Sequence, residues 1–225
     1  MKKIKVGLLG ASGRMGQEIV KVLESHPSCE LFYFYRRGES EESSVLAEVD
    51  VWIDFSSPEA LEQVLQRAAA HKKPVVSGTT GFTQKEKDLL AEYSKQIPIL
   101  WSSNMSMGVA VLNEALKVLS SLPQFDFQIE EFHHNKKKDK PSGTALTLQE
   151  NLEKVMQRKL PEPVAIRGGG IFGIHKIYSM SDEEVLVFEH TALNRAVFAK
   201  GAVRAAEWIT QKKPGLYQMR DVLFG

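Results

Sequence analysis

The stretch Gly7-Leu8-Leu9-Gly10-Ala11-Ser12-Gly13-Arg14-Met15-Gly16 sets three glycines, Gly10, Gly13 and Gly16, at an even spacing. It follows the run Ile4–Leu9, apolar but for Lys5, and opens onto Met15, Ile19, Val22 and Leu23, which recur at helical spacing until His26-Pro27 stops them. Strand, tight glycine turn and helix in that order make a βα unit. The spacing is a variant of the G-x-G-x-x-G dinucleotide fingerprint, and the physical requirement is the same. A tight turn needs permissive dihedrals, and a pyrophosphate needs backbone N–H groups unobstructed by a Cβ at the positive end of a helix. Gly16 lets that helix pack close to the sheet. The turn from Gly10 through Ala11, Ser12, Gly13 and Arg14 to Met15 is therefore the candidate cofactor loop.

Outward from this unit, the first hundred residues alternate short apolar runs with helical patterns. Strands are predicted at Leu31–Tyr35, Val51–Phe55, Pro74–Ser77 and Ile97–Trp101, and helices at Pro58–His71 and Thr83–Ser94. Thr83 with Glu86 reads as a capping box. Gly38–Asp50 leaves room for one abbreviated helix. Strands separated by helices of this length form parallel βαβ units. After Asn104 the pattern changes. Helices are predicted at Met107–Leu119, with Val111, Leu112, Leu116 and Leu119 on one side, and at Ser142–Arg158, with Leu146, Leu148, Leu152 and Val155. Strands fall at Phe125–His133, Ile171–Met180 and Glu184–Thr191, and Ala199–Gln211 reads as a late helix. The expected fold class is α/β: a Rossmann-like parallel-sheet nucleotide domain plus an α+β domain.

Composition fits this reading. The 225 residues are 43% hydrophobic and 25% charged, in the range of ordinary globular proteins rather than disordered or disulfide-built ones. Lys+Arg is 29 against 28 Asp+Glu, and a net charge of +1 argues against a broad electrostatic grip on nucleic acid or a membrane surface. Cys29 is the only cysteine, so no intrachain disulfide forms. The apolar run after Met1-Lys2-Lys3 is too short for a signal peptide, and nothing approaches a membrane span. These features read as cytoplasmic residence.

The second predicted strand ends Tyr35-Arg36-Arg37. An acid at this point holds ribose hydroxyls and repels a 2′-phosphate, whereas a guanidinium binds that phosphate through a forked pair of charge-assisted bonds. NADPH is expected to bind at least as well as NADH, with Arg14 in the adjacent turn adding to the same pocket. The alternative is that Arg36 and Arg37 are solvated surface charges. Two more loops follow strand ends on this edge: Gly78-Thr79-Thr80-Gly81-Phe82 and Ser102-Ser103-Asn104-Met105-Ser106. Gly78, Thr79, Thr80, Ser103, Asn104 and Met105 are candidate nicotinamide-side residues, with ordinary turn chemistry as the alternative. Asp54-Phe55-Ser56-Ser57-Pro58 reads equally as a plain helix start with a serine N-cap.

The densest chemistry is Glu131-Phe132-His133-His134-Asn135-Lys136-Lys137-Lys138-Asp139-Lys140-Pro141-Ser142-Gly143-Thr144-Ala145. Ser142, Gly143 and Thr144 open a long helix, where free N–H groups, hydroxyls and the helix dipole favour a carboxylate. Ser142 is also an ordinary N-cap candidate. His133 and His134 are adjacent on a strand and point to opposite faces, which argues against one shared metal, and no metal site is assigned. One of them facing a cleft, or a lysine held near an anion, supplies a proton near neutral pH. The other reading is a solvated charge run. His26 and His71 read as structural, and His175 and His190 as satisfied sheet histidines.

At this segment the chain resembles the 4-hydroxy-tetrahydrodipicolinate reductase (dihydrodipicolinate reductase) family, whose signature Glu-x-His-His-x-x-Lys-x-Asp-x-Pro-Ser-Gly-Thr-Ala runs unbroken from Glu131 to Ala145. Supporting matches are the Gly10–Gly16 turn, Asp54-Phe55-Ser56, Gly78–Phe82, Asn104 to Gly108, Gly173-Ile174-His175, Phe198–Ala202 and Gly215-Leu216-Tyr217. The resemblance implies a dinucleotide-binding domain of residues 1–104 and 196–225 and a substrate and oligomerisation domain of 105–195, with hinges near Asn104 and Arg195 and a homotetrameric assembly. It implies His133 and Lys137 as candidate proton donors and His134, Lys137, Ser142, Gly143 and Thr144 as binders of a small dicarboxylate. The implied reaction is reduction of a cyclic imine dicarboxylate by NADPH or NADH in lysine and diaminopimelate biosynthesis. Arg36 stands where many members carry an acid. A second enzyme reading is another Rossmann-fold reductase of a small dicarboxylate or amino-acid-derived imine, which would lack the intact His133–Thr144 segment. A semialdehyde dehydrogenase needs a catalytic cysteine, and Cys29 is badly placed for it. A nucleotide-sensing module would need neither His133 nor Lys137.

Overall fold

Alternating apolar runs and amphipathic helices produce the expected α/β architecture in a computed structural model that describes residues 2–35 and 43–225, with the backbone alone at 43 and 44. Arg36 and Arg37 lie outside the described residues. The elements in chain order are β1 (Ile4–Leu9), α1 (Arg14–Glu24), β2 (Cys29–Phe34), α2 (Ser43–Glu48), β3 (Val51–Asp54), α3 (Leu61–Ala70), β4 (Val75–Ser77), α4 (Gln84–Tyr93) and β5 (Pro98–Trp101). There follow α5 (Met107–Ala115), β6 (Asp126–His133), α6 (Gly143–Met156), β7 (Val164–Arg167), β8 (Ile174–Met180) and β9 (Val185–Thr191), then α7 (Ala196–Ile209), β10 (Gly215–Tyr217) and α8 (Met219–Phe224). The chain divides into one unit of Met1–Ser106 with Ala196–Gly225 and a second of Met107–Arg195.

The first unit carries a six-stranded sheet in the order β10-β5-β4-β3-β1-β2, with every pairing parallel. Its central strands are mostly apolar because helices cover both faces: Val6, Leu8, Val51, Ile53, Val75, Val76, Ile99 and Leu100 are fully buried, and Asp54 and Ser77 close β3 and β4 at the carboxyl edge. The strand order turns at β1, so the loops leaving β1, β3, β4 and β5 converge outside the carboxyl edge, where open α/β sheets bind ligands. The Thr83–Glu86 capping box is present. The short strand β10 and helix α8 were not anticipated; three residues of β-structure carry too little periodicity to show.

The second unit is an α+β layer with sheet order β7-β6-β8-β9. One face packs under α6 and the segment after α5: Phe127 and Ile129 of β6 and Ile177 of β8 meet Leu148, Leu152, Leu116 and Leu119. Burying each such leucine contributes about 2 kcal/mol. Three expectations need correction. Val111 is half exposed and Leu146 is exposed. The buried stripe runs through Val109, Leu112, Leu116 and Leu119, three or four residues apart, and Val111 lies off it within the α-helical part of α5, which tightens into a 3-10 turn only at Leu116–Ser121. On α6 the buried stripe runs through Ala145, Leu148 and Leu152, and Leu146 lies off it. Ile171–Gly173 do not extend β8. They leave the ladder so that the Ile171 carbonyl accepts from the His134 amide, 2.7 Å. Strand β7 was not anticipated, because its four residues alternate exposed and half-buried.

Candidate functional site

Two groups of candidate residues emerge, one in each unit. In the first, Gly10 sits at φ +80°, and a Cβ there would lie 2.3 Å from the Phe55 carbonyl oxygen. A Cβ on Gly16 would lie 2.1 Å from the Gly10 oxygen. Gly13 is the N-cap of α1 and spends no side chain on the first-turn amides. That turn carries no acid and begins with Arg14, which is exposed along with Ser12 and Gly13. A cation at the positive end of a helix is disfavoured unless an anion joins it. The backbone cradle and Arg14 together therefore fit a dinucleotide pyrophosphate, while Ala11 and Met15 are only partly exposed.

The neighbouring loops are tied by Asp54, a residue absent from the candidates. Its buried carboxylate accepts from the Ser56 amide (3.0 Å), the Ser56 hydroxyl (2.5 Å), the Ser77 hydroxyl (2.8 Å) and the Thr79 hydroxyl (3.0 Å). The helix-start reading of this loop holds as well: Ser57 is the N-cap of a 3-10 turn at Pro58–Ala60, its carbonyl accepting from the Ala60 amide at 3.1 Å, although its side chain makes no cap bond. Thr79 is buried and accepts the Trp101 indole N–H at its carbonyl, 3.1 Å. Its side chain belongs to the loop frame, and Thr80 is the exposed hydroxyl of the pair. A Cβ on Gly78 would lie 2.2 Å from the Phe55 ring. In the β5 loop, the Asn104 carboxamide oxygen accepts from the Ser106 amide at 2.8 Å, Ser103 is partly exposed and Met105 is buried. A Cβ on Gly201 would meet the Met105 carbonyl oxygen at 1.8 Å. Met105 is thus packed on both its side chain and its carbonyl.

In the second unit the inward face of β6 runs Phe127, Ile129, Glu131, His133, turning from apolar to ionisable halfway along. Glu131 is fully buried and uses both oxygens. One accepts from Arg167 Nη2 at 2.7 Å and the Ser142 amide at 3.0 Å; the other accepts from Arg167 Nη1 at 2.9 Å and meets His133 Nδ1. Burial pushes the Glu131 carboxyl upward, but the Arg167 and His133 bonds outweigh it and hold the group below its ordinary range. Burial lowers His133 from its ordinary range, against the opposing pull of Glu131.

Ser142 caps α6, its Oγ accepting from the Ala145 amide at 3.2 Å. The same Oγ lies 3.3 Å from His175 Nε2. His175 packs edge-on to His133 with ring centroids 5.2 Å apart, and burial lowers it to about 3. Its Nδ1 has no partner among the described residues, which corrects the reading of a satisfied sheet histidine. Lys137 pairs with Asp139 at 3.0 Å, and burial of Asp139 is outweighed by that bond, so its carboxyl sits low. His134 is half-buried, Gly143 is exposed, and Thr144 is buried in the first turn of α6. The unit thus brings His133 and the Ser142 helix start onto one carboxylate, that of Glu131, while Lys137 pairs with Asp139 in the loop that joins them. Glu131, Arg167 and His175 were not among the candidates, although the period-two placement of Glu131 with His133 was a signal available in the sequence.

Ser142→Ala is expected to cost about 1 kcal/mol of stability through the lost cap. Urea unfolding measures it, and a change under a few tenths would show that the cap is dispensable.

Among the described residues no helix is long and apolar enough to cross a membrane. A family described as dihydrodipicolinate reductase, N-terminus, matches residues 4–105, and one described as dihydrodipicolinate reductase, C-terminus, matches 108–223. A 4-hydroxy-tetrahydrodipicolinate reductase of Bdellovibrio bacteriovorus is 69% identical over 225 residues, covering 100% of this chain and 98% of the relative. One from Campylobacter lari is 39% identical, covering 98% and 99%. A solved dipicolinate-bound dihydrodipicolinate reductase from Paenisporosarcina sp. TG-14 superposes with a TM-score of 0.81 at 20% identity, covering 98% of this chain and 100% of that one.

Proposed function

Since the chain belongs to the dihydrodipicolinate reductase family, we propose that it reduces 4-hydroxy-tetrahydrodipicolinate to tetrahydrodipicolinate with NADPH or NADH. The observation that carries this reading is the seating of His133 and of the capped helix start of α6 on buried Glu131, with Lys137 paired to Asp139 in the loop between them. The C4 hydroxyl leaves as water together with a hydrogen of the neighbouring carbon, giving a double bond conjugated with the imine; C4 then gains a hydride and the neighbouring carbon a proton. The nicotinamide, when bound, supplies the hydride. The Gly10–Met15 turn holds the pyrophosphate, with Arg14 neutralising it, and Gly78, Thr79, Thr80 and the Ser103–Met105 backbone line the nicotinamide side. The α6 start at Gly143 and Thr144 takes one carboxylate of the substrate, with Ser142 holding that start in place through Glu131 and the cap, and His134 and Lys137 take the other. His133 and Lys137 are the groups that deliver the proton, held in place by a frame that needs no rearrangement.

In the finer reading the protein works as a cytoplasmic homotetramer. Supporting this, the outer face of the second sheet carries exposed Val164, Ile166, Val185 and Val187, more apolar surface than a solvated sheet face needs.

The test is oxidation of NADPH and of NADH by the purified protein, with substrate generated in place by a coupled synthase from pyruvate and aspartate semialdehyde. Rapid oxidation is the expected result. Binding of NADPH without oxidation would sink the substrate assignment and leave a different reductase or a sensor. In the same assay Arg36→Glu is expected to move preference toward NADH by about tenfold or more, as loss of a charge-assisted phosphate contact predicts. An unchanged ratio would place Arg36 in solvent.

A further inference from the structure

We infer that Glu131 and Gly173 together present His133 to the substrate, Glu131 as the positioning residue that takes Nδ1 and Gly173 as the gap that leaves Nε2 uncovered. The inference rests on the reading of His133 as a proton donor.

On the Nδ1 side, Glu131 accepts from the imidazole while Arg167 grips both carboxylate oxygens. Arg167 is held in turn, its Nη2 donating to the Asp139 carbonyl at 2.6 Å and its Nη1 to the Ile166 carbonyl at 2.8 Å. The carboxylate cannot swing away without abandoning a buried guanidinium. The same carboxylate takes the Ser142 amide, so one group sets both the tautomer of His133 and the position of the α6 start that receives the substrate carboxylate. A carboxylate on Nδ1 leaves Nε2 as the working nitrogen.

On the Nε2 side, a Cβ placed on Gly173 would lie 3.1 Å from His133 Nε2 and 3.5 Å from its Cδ2. No positive φ demands glycine there; the demand is the open space beside the nitrogen. Gly173 stands one residue before β8, next in register to the Phe132–Ile174 pair and with its carbonyl accepting from the Ala192 amide at 2.8 Å, so a glycine rather than a side chain lies alongside the ring.

The charged and titratable groups around His133 come from every neighbouring element: Glu131 on its own strand, Arg167 of β7, His175 of β8 and Lys137 of the following loop. His175 is neutral there. Arg167 and Lys137 oppose a charge on His133, and Glu131 is the group among them that favours it. In the reaction the proton passes from Nε2 of the imidazolium to the substrate carbon. The ring returns to its neutral Nδ1–H form, still bonded to Glu131, and is recharged from solvent.

The sign follows. A carboxylate on Nδ1 stabilises the imidazolium, so its removal lowers the pKa of His133. The limb of the kcat/KM profile that falls as pH rises through that pKa should move to lower pH. In Glu131→Gln we expect a downward displacement of about one pH unit or more, with kcat reduced at least tenfold and the Kd for NADPH unchanged. In Gly173→Ala we expect kcat reduced about tenfold with the limb in place, because the nitrogen is obstructed but its charge balance is not altered.

A measurement independent of activity is the 15N shift pair of the His133 imidazole in histidine-labelled protein. The proton should reside on Nδ1 in the wild type and divide between the nitrogens in Glu131→Gln. This readout also serves if the glutamine variant folds poorly, since the wild type alone tests the tautomer. A wild-type proton on Nε2 overturns the inference. So does an unmoved limb in Glu131→Gln when His133→Gln abolishes that limb, a result that leaves His133 as donor and removes Glu131 as its positioner. If instead His133→Gln keeps both limb and rate, the donor reading fails, and the inference about how the substrate meets His133 fails with it.

Discussion

Lys137→Ala is expected to lower kcat by about 10²- to 10⁴-fold, the range for loss of a positioned proton donor, while the Kd for NADPH stays within about twofold by the same reasoning, because the cofactor candidates lie on other loops. KM for the dicarboxylate should rise as well, since the ammonium is one of few cations beside the α6 start. The structure pairs Lys137 with Asp139 at 3.0 Å, which anchors a long flexible side chain at the loop that follows β6 and reduces the entropy lost when the substrate is gripped. Single-turnover kinetics separate the effects. A fall in the chemical step identifies a donor, whereas a rise in KM with an unchanged rate of that step would leave Lys137 as a carboxylate binder and His133 as the donor.

Gly10→Ala should be nearly as severe, by a different route. The residue sits at φ +80°, where an L side chain costs about 1–2 kcal/mol. Its Cβ would also fall 2.3 Å from the Phe55 carbonyl oxygen, and a backbone atom has no rotamer with which to retreat. The β1–α1 turn has to open, at a total cost of about 3 kcal/mol, which lowers Tm by roughly 6–12 °C for a chain of this length. NADPH affinity should fall at least tenfold, because the cradle and the strained turn are the same atoms. Gly81→Ala is the control. Gly81 has φ +83°, but its Cβ would meet nothing closer than Pro58 Cγ at 3.9 Å. It should show the dihedral cost alone. Equal losses in the two variants would show that close approach at Gly10 contributes nothing.

These two expectations were legible to different degrees. The Gly10–Gly16 turn was readable because its signal is local: an apolar run, three glycines and a helical stripe within two dozen residues. Likewise the Thr83–Glu86 box, the Ser142 cap and the central strands declare themselves by residue type over a few positions. The long signature from Glu131 to Ala145 marked the chemistry without showing its geometry. Where local pattern was weak, as at β7 and β10, the elements went unseen, and on α5, whose residues are apolar on more than one side, the stripe was misplaced at Val111.

Asp54 shows the same boundary. Its neighbour Phe55 and the two serines were quoted as a helix start, yet the carboxylate gathers hydroxyls from β4 and from the loop after it. No spacing within residues 54–58 announces Ser77 or Thr79. The Glu131 cluster is the larger instance. The residue types, the βα order and the inward parity of Glu131 with His133 are properties of the amino-acid sequence alone, because side-chain alternation in a strand is a local geometric necessity. That Arg167 arrives opposite His133, and His175 opposite Glu131, depends on the registers of β7 and β8 against β6. A register joins segments more than thirty residues apart, and packing over the whole sheet selects it; a slip of one residue would turn each side chain to the other face. Tertiary structure therefore chose which ionisable groups share the site, and with them the charge state of the histidine at its centre.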